Sequence, residues 1–162
     1  MITDKMGILQ LVEAMQQFDI HHAVICPGSR NAPIINELVK NPEIQTYSLV
    51  DERSAGFFAI GIAKITTKPV TIVCTSGTAS LNFAPAVAEA LYQRVPLLVL
   101  TADRPHEWIL QGDSQAIVQK DMYGANVKAS FELLQHVHDH VSVAHNRRII
   151  SEALNALMLP EQ

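Results

Sequence analysis

Apolar residues at Met6, Leu9, Val12, Met15 and Phe18 recur at the spacing of one helix face. They predict a helix over 6–18, with Thr3 or Asp4 as its cap. His22-Ala23-Val24-Ile25-Cys26 reads as a short buried strand broken by Pro27-Gly28. A helix over 31–39 follows, with Pro33 tolerable in its first turn, and Asn41-Pro42 stops it. The pattern then predicts a strand over 45–50 and a small-residue helix over 54–65. Val70-Thr71-Ile72-Val73-Cys74-Thr75 is an almost unbroken β-branched run, as expected of a strand covered on both faces. Ser76-Gly77 turns into a helix over about 78–93, and a fourth strand spans 96–101. Beyond it, 114–123 reads as a short helix or loop, 127–131 as a candidate fifth strand, and 146–158 as an amphipathic terminal helix.

Strands alternating with helices across short loops predict an α/β fold: a three-layer α/β/α arrangement around a mostly parallel sheet with right-handed crossovers. No repeat, linker or low-complexity segment divides the chain, so residues 1–162 are expected to form one domain. The 162 residues suffice for a proper core, and 48% hydrophobic with 17% charged content is that of a soluble globular domain. A net charge of -4 argues against nucleic acid and anionic membrane surfaces as partners. No stretch approaches the roughly 20 apolar residues of a membrane span, and the first residues lack a signal-peptide core, so no stable membrane insertion is expected. Cys26 and Cys74 both fall in apolar strands and suit buried thiols in a reducing, cytoplasmic compartment.

In a parallel sheet, all loops that follow strands project from one edge, where ligands bind. Here that edge carries Cys26-Pro27-Gly28-Ser29-Arg30-Asn31, then Asp51-Glu52-Arg53, then Thr75-Ser76-Gly77-Thr78, then Thr101-Ala102-Asp103-Arg104-Pro105. Singly, each polar residue has a plainer explanation. Glu52 can face a helix dipole, Ser29, Asn31 and Thr78 can be caps, and Arg30 and Arg104 can be surface ion-pair partners. Together they place hydroxyl-rich turns, a carboxylate and two arginines suited to a planar anion on one edge. No dinucleotide, P-loop or nucleophile-elbow motif is present. His136, His138 and His140 alternate as metal ligands on a strand could, although a solvated loop is the commoner reading and no metal site is assigned. His106 is a weaker candidate for substrate contact.

Cys26-Pro27-Gly28-Ser29-Arg30, Asp51-Glu52-Arg53-Ser54-Ala55-Gly56-Phe57, Thr75-Ser76-Gly77-Thr78-Ala79 and Thr101-Ala102-Asp103-Arg104-Pro105 together resemble the N-terminal domain of the menaquinone-pathway MenD family, thiamine-diphosphate enzymes. The resemblance implies a pyrimidine-binding domain in a synthase that decarboxylates 2-oxoglutarate and adds the resulting carbanion to isochorismate. It implies that Glu52 is catalytic, bonding a pyrimidine ring nitrogen of the cofactor, with Thr75, Ser76 and Gly77 beside it. It places Ser29, Arg30, Arg104 and Gln115 on the substrates, with Ser114 standing where the family often has Asn. Magnesium and the diphosphate belong, by the same resemblance, to a C-terminal domain that this chain lacks, and a central domain is absent too. The family pattern continues into another strand after the terminal helix, so the expected sheet is missing its last strand. The expected assembly is a homodimer or homotetramer with a composite active site. Two alternatives stand beside this reading: a free-standing α subunit of a thiamine-diphosphate 2-oxoacid decarboxylase, and a non-catalytic module of the same fold. Loss of the activating carboxylate would favour the last, and Glu52 is present.

Overall fold

A computed structural model describes residues 5–159. Four parallel strands, β1 (His22–Ile25), β2 (Gln45–Ser48), β3 (Val70–Cys74) and β4 (Leu97–Thr101), lie in the order β2-β1-β3-β4. Register is set by period-two burial. Ala23, Ile25 and Val73 face one core, while Val24, Cys26, Ile72 and Cys74 face the other. β3 is buried along its whole length, as its β-branched run predicts.

The first core is covered by α1 (Met6–Gln17), α2 (Ala32–Lys40) and α6 (His140–Met158), through Leu11, Val12, Met15, Leu38, Ile150 and Leu154. The second is covered by α3 (Glu52–Thr66) and α5 (Ala84–Tyr92), which follows the single-turn α4 (Thr78–Asn82). α3 and α5 approach closely because Gly56 has no side chain: a Cβ there would lie 2.5 Å from that of Ala86. Among the described residues, no helix is long and apolar enough to cross a membrane.

Four expectations are corrected. Residues 127–131 form no strand: Val127 packs on the second core and Leu133 on the first, so the chain there crosses between layers instead of running along the sheet edge. The helix expected over 78–93 breaks at buried Phe83, because Pro85 has no N–H to continue the ladder. The terminal helix begins at His140, earlier than expected. Asp139 caps it, accepting from Ser142 N–H at 2.7 Å, while Ser142 Oγ closes the reciprocal bond. α3 likewise begins before Ser54, with Asp51 accepting from Ser54 N–H at 2.7 Å. Thr3 and Asp4, read as caps for α1, lie outside the described residues.

Candidate functional site

The sheet grows from β1 to β2 on one side and then returns to add β3 on the other. The loops leaving β1 and β3 therefore part, and a crevice opens at the carboxyl ends between them. A cleft of about 360 Å³ lies there, within the range of small-ligand sites. Gly28 and Ser29 of the β1 loop line it, with Glu52 of α3, Thr75 and Ser76 of the β3 loop, and Gln115 from the segment beyond β4.

The β1 turn lies directly on the floor of this cleft. A Cβ on Gly28 would come 2.5 Å from Thr75 Cβ and 2.9 Å from Asn31 Oδ1, so only glycine lets the turn sit so low. Asn31 holds the turn from below, its Nδ2 donating to Cys26 O at 2.8 Å. It is fully buried and stands at the N-cap position of α2, as read, but its side chain makes no cap bond there. Thr78 is the first residue of α4 instead of its cap, that place being taken by Gly77. Thr75 lines the cleft, and its hydroxyl is buried with no hydrogen-bond partner within the protein. A buried hydroxyl left so is costly unless a bound group completes it.

Glu52 is the first residue of α3, half-buried, so it meets both descriptions: a first-turn acid and a wall of the cleft. Its charge is felt beneath the floor. The Cys26 thiol is pushed up to about 12, chiefly by burial and then by the carboxylates of Glu52 and Asp51. Cys74 is raised by burial, then by Cys26 and Glu52. Both thiols are therefore neutral and unbridged, and neither is a nucleophile.

A strap over 109–123 closes one side. Ser76 Oγ donates to Gln115 O at 2.8 Å, Gly77 N–H donates to Gln119 Oε1 at 2.8 Å, and Gln119 Nε2 donates to Ala102 O at 2.9 Å. Tyr123 O–H donates to Ser80 O at 2.7 Å, and burial raises its phenol well above the ordinary value. Gly77 adopts φ +80°, and its missing side chain makes room for the strap, since a Cβ would lie 2.7 Å from Gln115 Cα.

The strap also engages both arginines. Arg30 donates through Nη1 to Gln115 Oε1 and through Nη2 to Ser114 O, the latter at 3.3 Å. Arg104 is ion-paired with Asp113, both largely buried. Of the residues expected at the site, Ser29, Glu52, Thr75, Ser76 and Gln115 line the cleft. Arg30 reaches it through Gln115, Gly77 stands behind it, and Arg104 is turned to Asp113. His106 pairs with Glu132 at 2.8 Å, away from the cleft lining. His136 and His138 stack at 5.7 Å, and among the described residues no group of three His, Cys, Asp or Glu is placed to hold a metal ion. Gln119 was not legible as a site residue: nothing local marks a glutamine in a loop as the bond between two strand-end turns.

Residues 7–123 match the family model described as thiamine pyrophosphate enzyme, N-terminal TPP binding domain. The chain is 47% identical over 154 residues to a 2-succinyl-5-enolpyruvyl-6-hydroxy-3-cyclohexene-1-carboxylate synthase of Bacteroides fragilis, covering 95% of this chain and 28% of that protein. It is 42% identical over 160 residues to the synthase of the same name from Porphyromonas gingivalis, covering 99% and 28%. It is 52% identical over 118 residues to that of Geobacillus kaustophilus, covering 73% and 20%. The chain thus spans under a third of the length of these relatives.

Proposed function

The chain belongs to the thiamine pyrophosphate enzymes as an N-terminal TPP binding domain, and from that premise we propose that it is the pyrimidine-binding part of a synthase using 2-oxoglutarate and isochorismate. The relatives named for the 2-succinyl-5-enolpyruvyl-6-hydroxy-3-cyclohexene-1-carboxylate product support the substrate assignment. The observation that carries the reading is the cleft at the β1/β3 crossover, lined by both the half-buried Glu52 and Thr75, whose buried hydroxyl has no partner within the protein.

These residues fit an aminopyrimidine. A ring with adjacent donor and acceptor nitrogens can satisfy both a carboxyl group and an orphaned hydroxyl, and the glycine floor leaves room for a flat group. Glu52, Thr75 and Ser76 would hold that ring. Thiamine diphosphate, when bound, supplies the carbanion chemistry that no side chain can. Glu52, at the start of α3, would share a proton with the ring nitrogen. At the turn before α4 the Gly77 N–H is already used by Gln119, which favours a neutral ring over a phosphate at this turn. We assign the diphosphate and magnesium to the remainder of the protein, in keeping with relatives more than three times as long.

Toward the open side, Ser29, Arg30 and Gln115 provide a hydroxyl, a guanidinium and an amide for the carboxylates of isochorismate. Arg104 joins them only by exchanging Asp113 for substrate. A cytoplasmic location, suited to the unbridged thiols, and a homodimer or homotetramer complete the proposal.

Glu52→Gln tests it. In the intact protein this variant keeps the size of the side chain and removes its exchangeable acid. Cofactor should still bind, while deuterium exchange at the thiazolium carbon slows by about a hundredfold or more. An unchanged exchange rate would make Glu52 a structural residue and end this assignment.

A further inference from the structure

Gln119 is a buried side chain with both ends of its amide occupied. Oε1 accepts from Gly77 N–H at 2.8 Å and Nε2 donates to Ala102 O at 2.9 Å. It thereby joins the turn after β3, the turn after β4 and the strap, three segments that share no regular secondary structure. It does not line the cleft, and no donor or acceptor in its amide faces an incoming ligand. Four residues before it stands Gln115, which does line the cleft and accepts from Arg30.

Gln115 has little to keep it in place locally. Its φ is +54°, a conformation that a side chain disfavours. Its carbonyl is held by Ser76 Oγ, and its backbone lies over Gly77. The strap between Gln115 and Gln119 is therefore pinned at two points, Ser76 at one end and the Gln119 amide at the other. Releasing the second leaves the Ser76 hydroxyl bond and the exposed Arg30 contacts to hold a left-handed residue against the sheet edge.

We infer that Gln119 is a positioning residue, whose amide holds the strap so that Gln115, and through it Arg30, faces the substrate side of the cleft. The inference rests on the function proposed above. It also predicts a selectivity. On the cofactor side Glu52 stands on α3 and Thr75 directly follows β3, and of the three residues there Ser76 alone is bonded to the strap, whereas Gln115 belongs to the strap and Arg30 is bonded to it. Loss of Gln119 should harm use of isochorismate more than decarboxylation of 2-oxoglutarate.

The test uses the intact protein with Gln119→Leu and Gln119→Glu, first shown to unfold cooperatively. Gln119→Leu should raise the KM for isochorismate by about tenfold, the scale of a buried hydrogen bond left unmade, with 2-oxoglutarate decarboxylation changed less than about threefold. Gln119→Glu should behave like the leucine variant at about pH 8, where its carboxylate opposes Ala102 O. It should recover toward wild type at about pH 6, because a protonated carboxyl accepts from Gly77 N–H and donates to Ala102 O as the amide does. A purely structural role would lower both activities together and leave the KM unmoved. That result, an unchanged KM, or a glutamate variant with no recovery on acidification would overturn the inference. Amide exchange adds a readout that needs no turnover: Gly77 N–H should be protected in the wild type and lose protection in Gln119→Leu, and equal protection would also overturn it. If the wild-type protein does not consume isochorismate, the proposed function fails instead, and the Gly77 measurement still decides whether Gln119 holds the strap.

Discussion

Gly77→Ala separates two physical effects that meet at one residue. The backbone there has φ +80° and ψ -144°, a region accessible almost only to glycine. A methyl would also meet the backbone of Gln115, at 2.7 Å from Cα and 2.9 Å from the carbonyl carbon. The dihedral strain is worth about 1–3 kcal/mol, and forcing an extra methyl into a packed site about 1–3 kcal/mol more. The loss is then about 2–6 kcal/mol out of a total stability of about 5–15 kcal/mol. Because the clashing atoms belong to main chain, no rotamer change relieves them, and the strap itself must lift.

Gly112→Ala supplies the control. Gly112 is also left-handed, φ +73°, and a methyl there meets nothing within 4 Å. Its cost is the conformational one alone, about 1–2 kcal/mol, partly offset by about 0.4–1 kcal/mol from a less flexible unfolded chain. Urea denaturation of the two variants should therefore place Gly77→Ala at least about 1 kcal/mol below Gly112→Ala. Gly77→Ala should also lose protection of the Gln119 side-chain bond, seen as faster exchange at residue 77. Equal losses in the two variants would show that Gln115 does not lie over Gly77, and would remove the physical basis for the strap's placement.

Two further outcomes are expected. Asp113→Asn releases Arg104 from its ion pair, so in the intact protein the KM for isochorismate should fall by about two- to fivefold at low salt, the range of a modest ion pair; an unchanged or higher KM would make Arg104 an anchor for the strap and not a substrate contact. Asp139 is held below the ordinary carboxylate range by bonds from Ser142, chiefly its backbone N–H. Its folded value is depressed, so the stability it contributes is present above the unfolded carboxyl value and is lost as pH falls through the folded one. Helix α6 should fray from its N-terminus on acidification, earlier than the sheet, in residue-resolved amide exchange, and Asp139→Ala should abolish that pH step.

The layers were legible because they depend on short-range pattern. A β-branched run such as 70–75 has few alternatives to a doubly covered strand, and strand-helix alternation fixes a parallel sheet. The edge residues followed from topology, since every loop after a parallel strand must project the same way. Where the reading slipped, a local signal was present but shared. Asp139-x-x-Ser142 is a capping pair, yet Asp139 stands among three histidines that suggest metal chemistry. Pro85 lies inside the run read as one helix over 78–93, and the helix restarts at Ala84, one residue after buried Phe83. Val127 to Phe131 has strand-like residues but crosses between the layers and pairs with neither edge strand.

The strap is a different case. Leu110, Gln115 and Asp121 all have positive φ, at 63°, 54° and 54°, without a glycine among them to signal it. The strap is held by bonds to residues distant in sequence: Ser76 is 39 positions from Gln115, and Gly77 is 42 from Gln119. Such bonds form only once β3 and β4 are already side by side, so they leave no period or composition along the strap. The consequence is directional. In the cofactor half Glu52 and Thr75 are placed by α3 and the sheet and only Ser76 is bonded to the strap, while the substrate half depends on a loop held by long-range bonds. Substitutions that leave β1, β3 and α3 intact but disturb 109–123 should therefore change which acceptor is used before they change whether the cofactor binds.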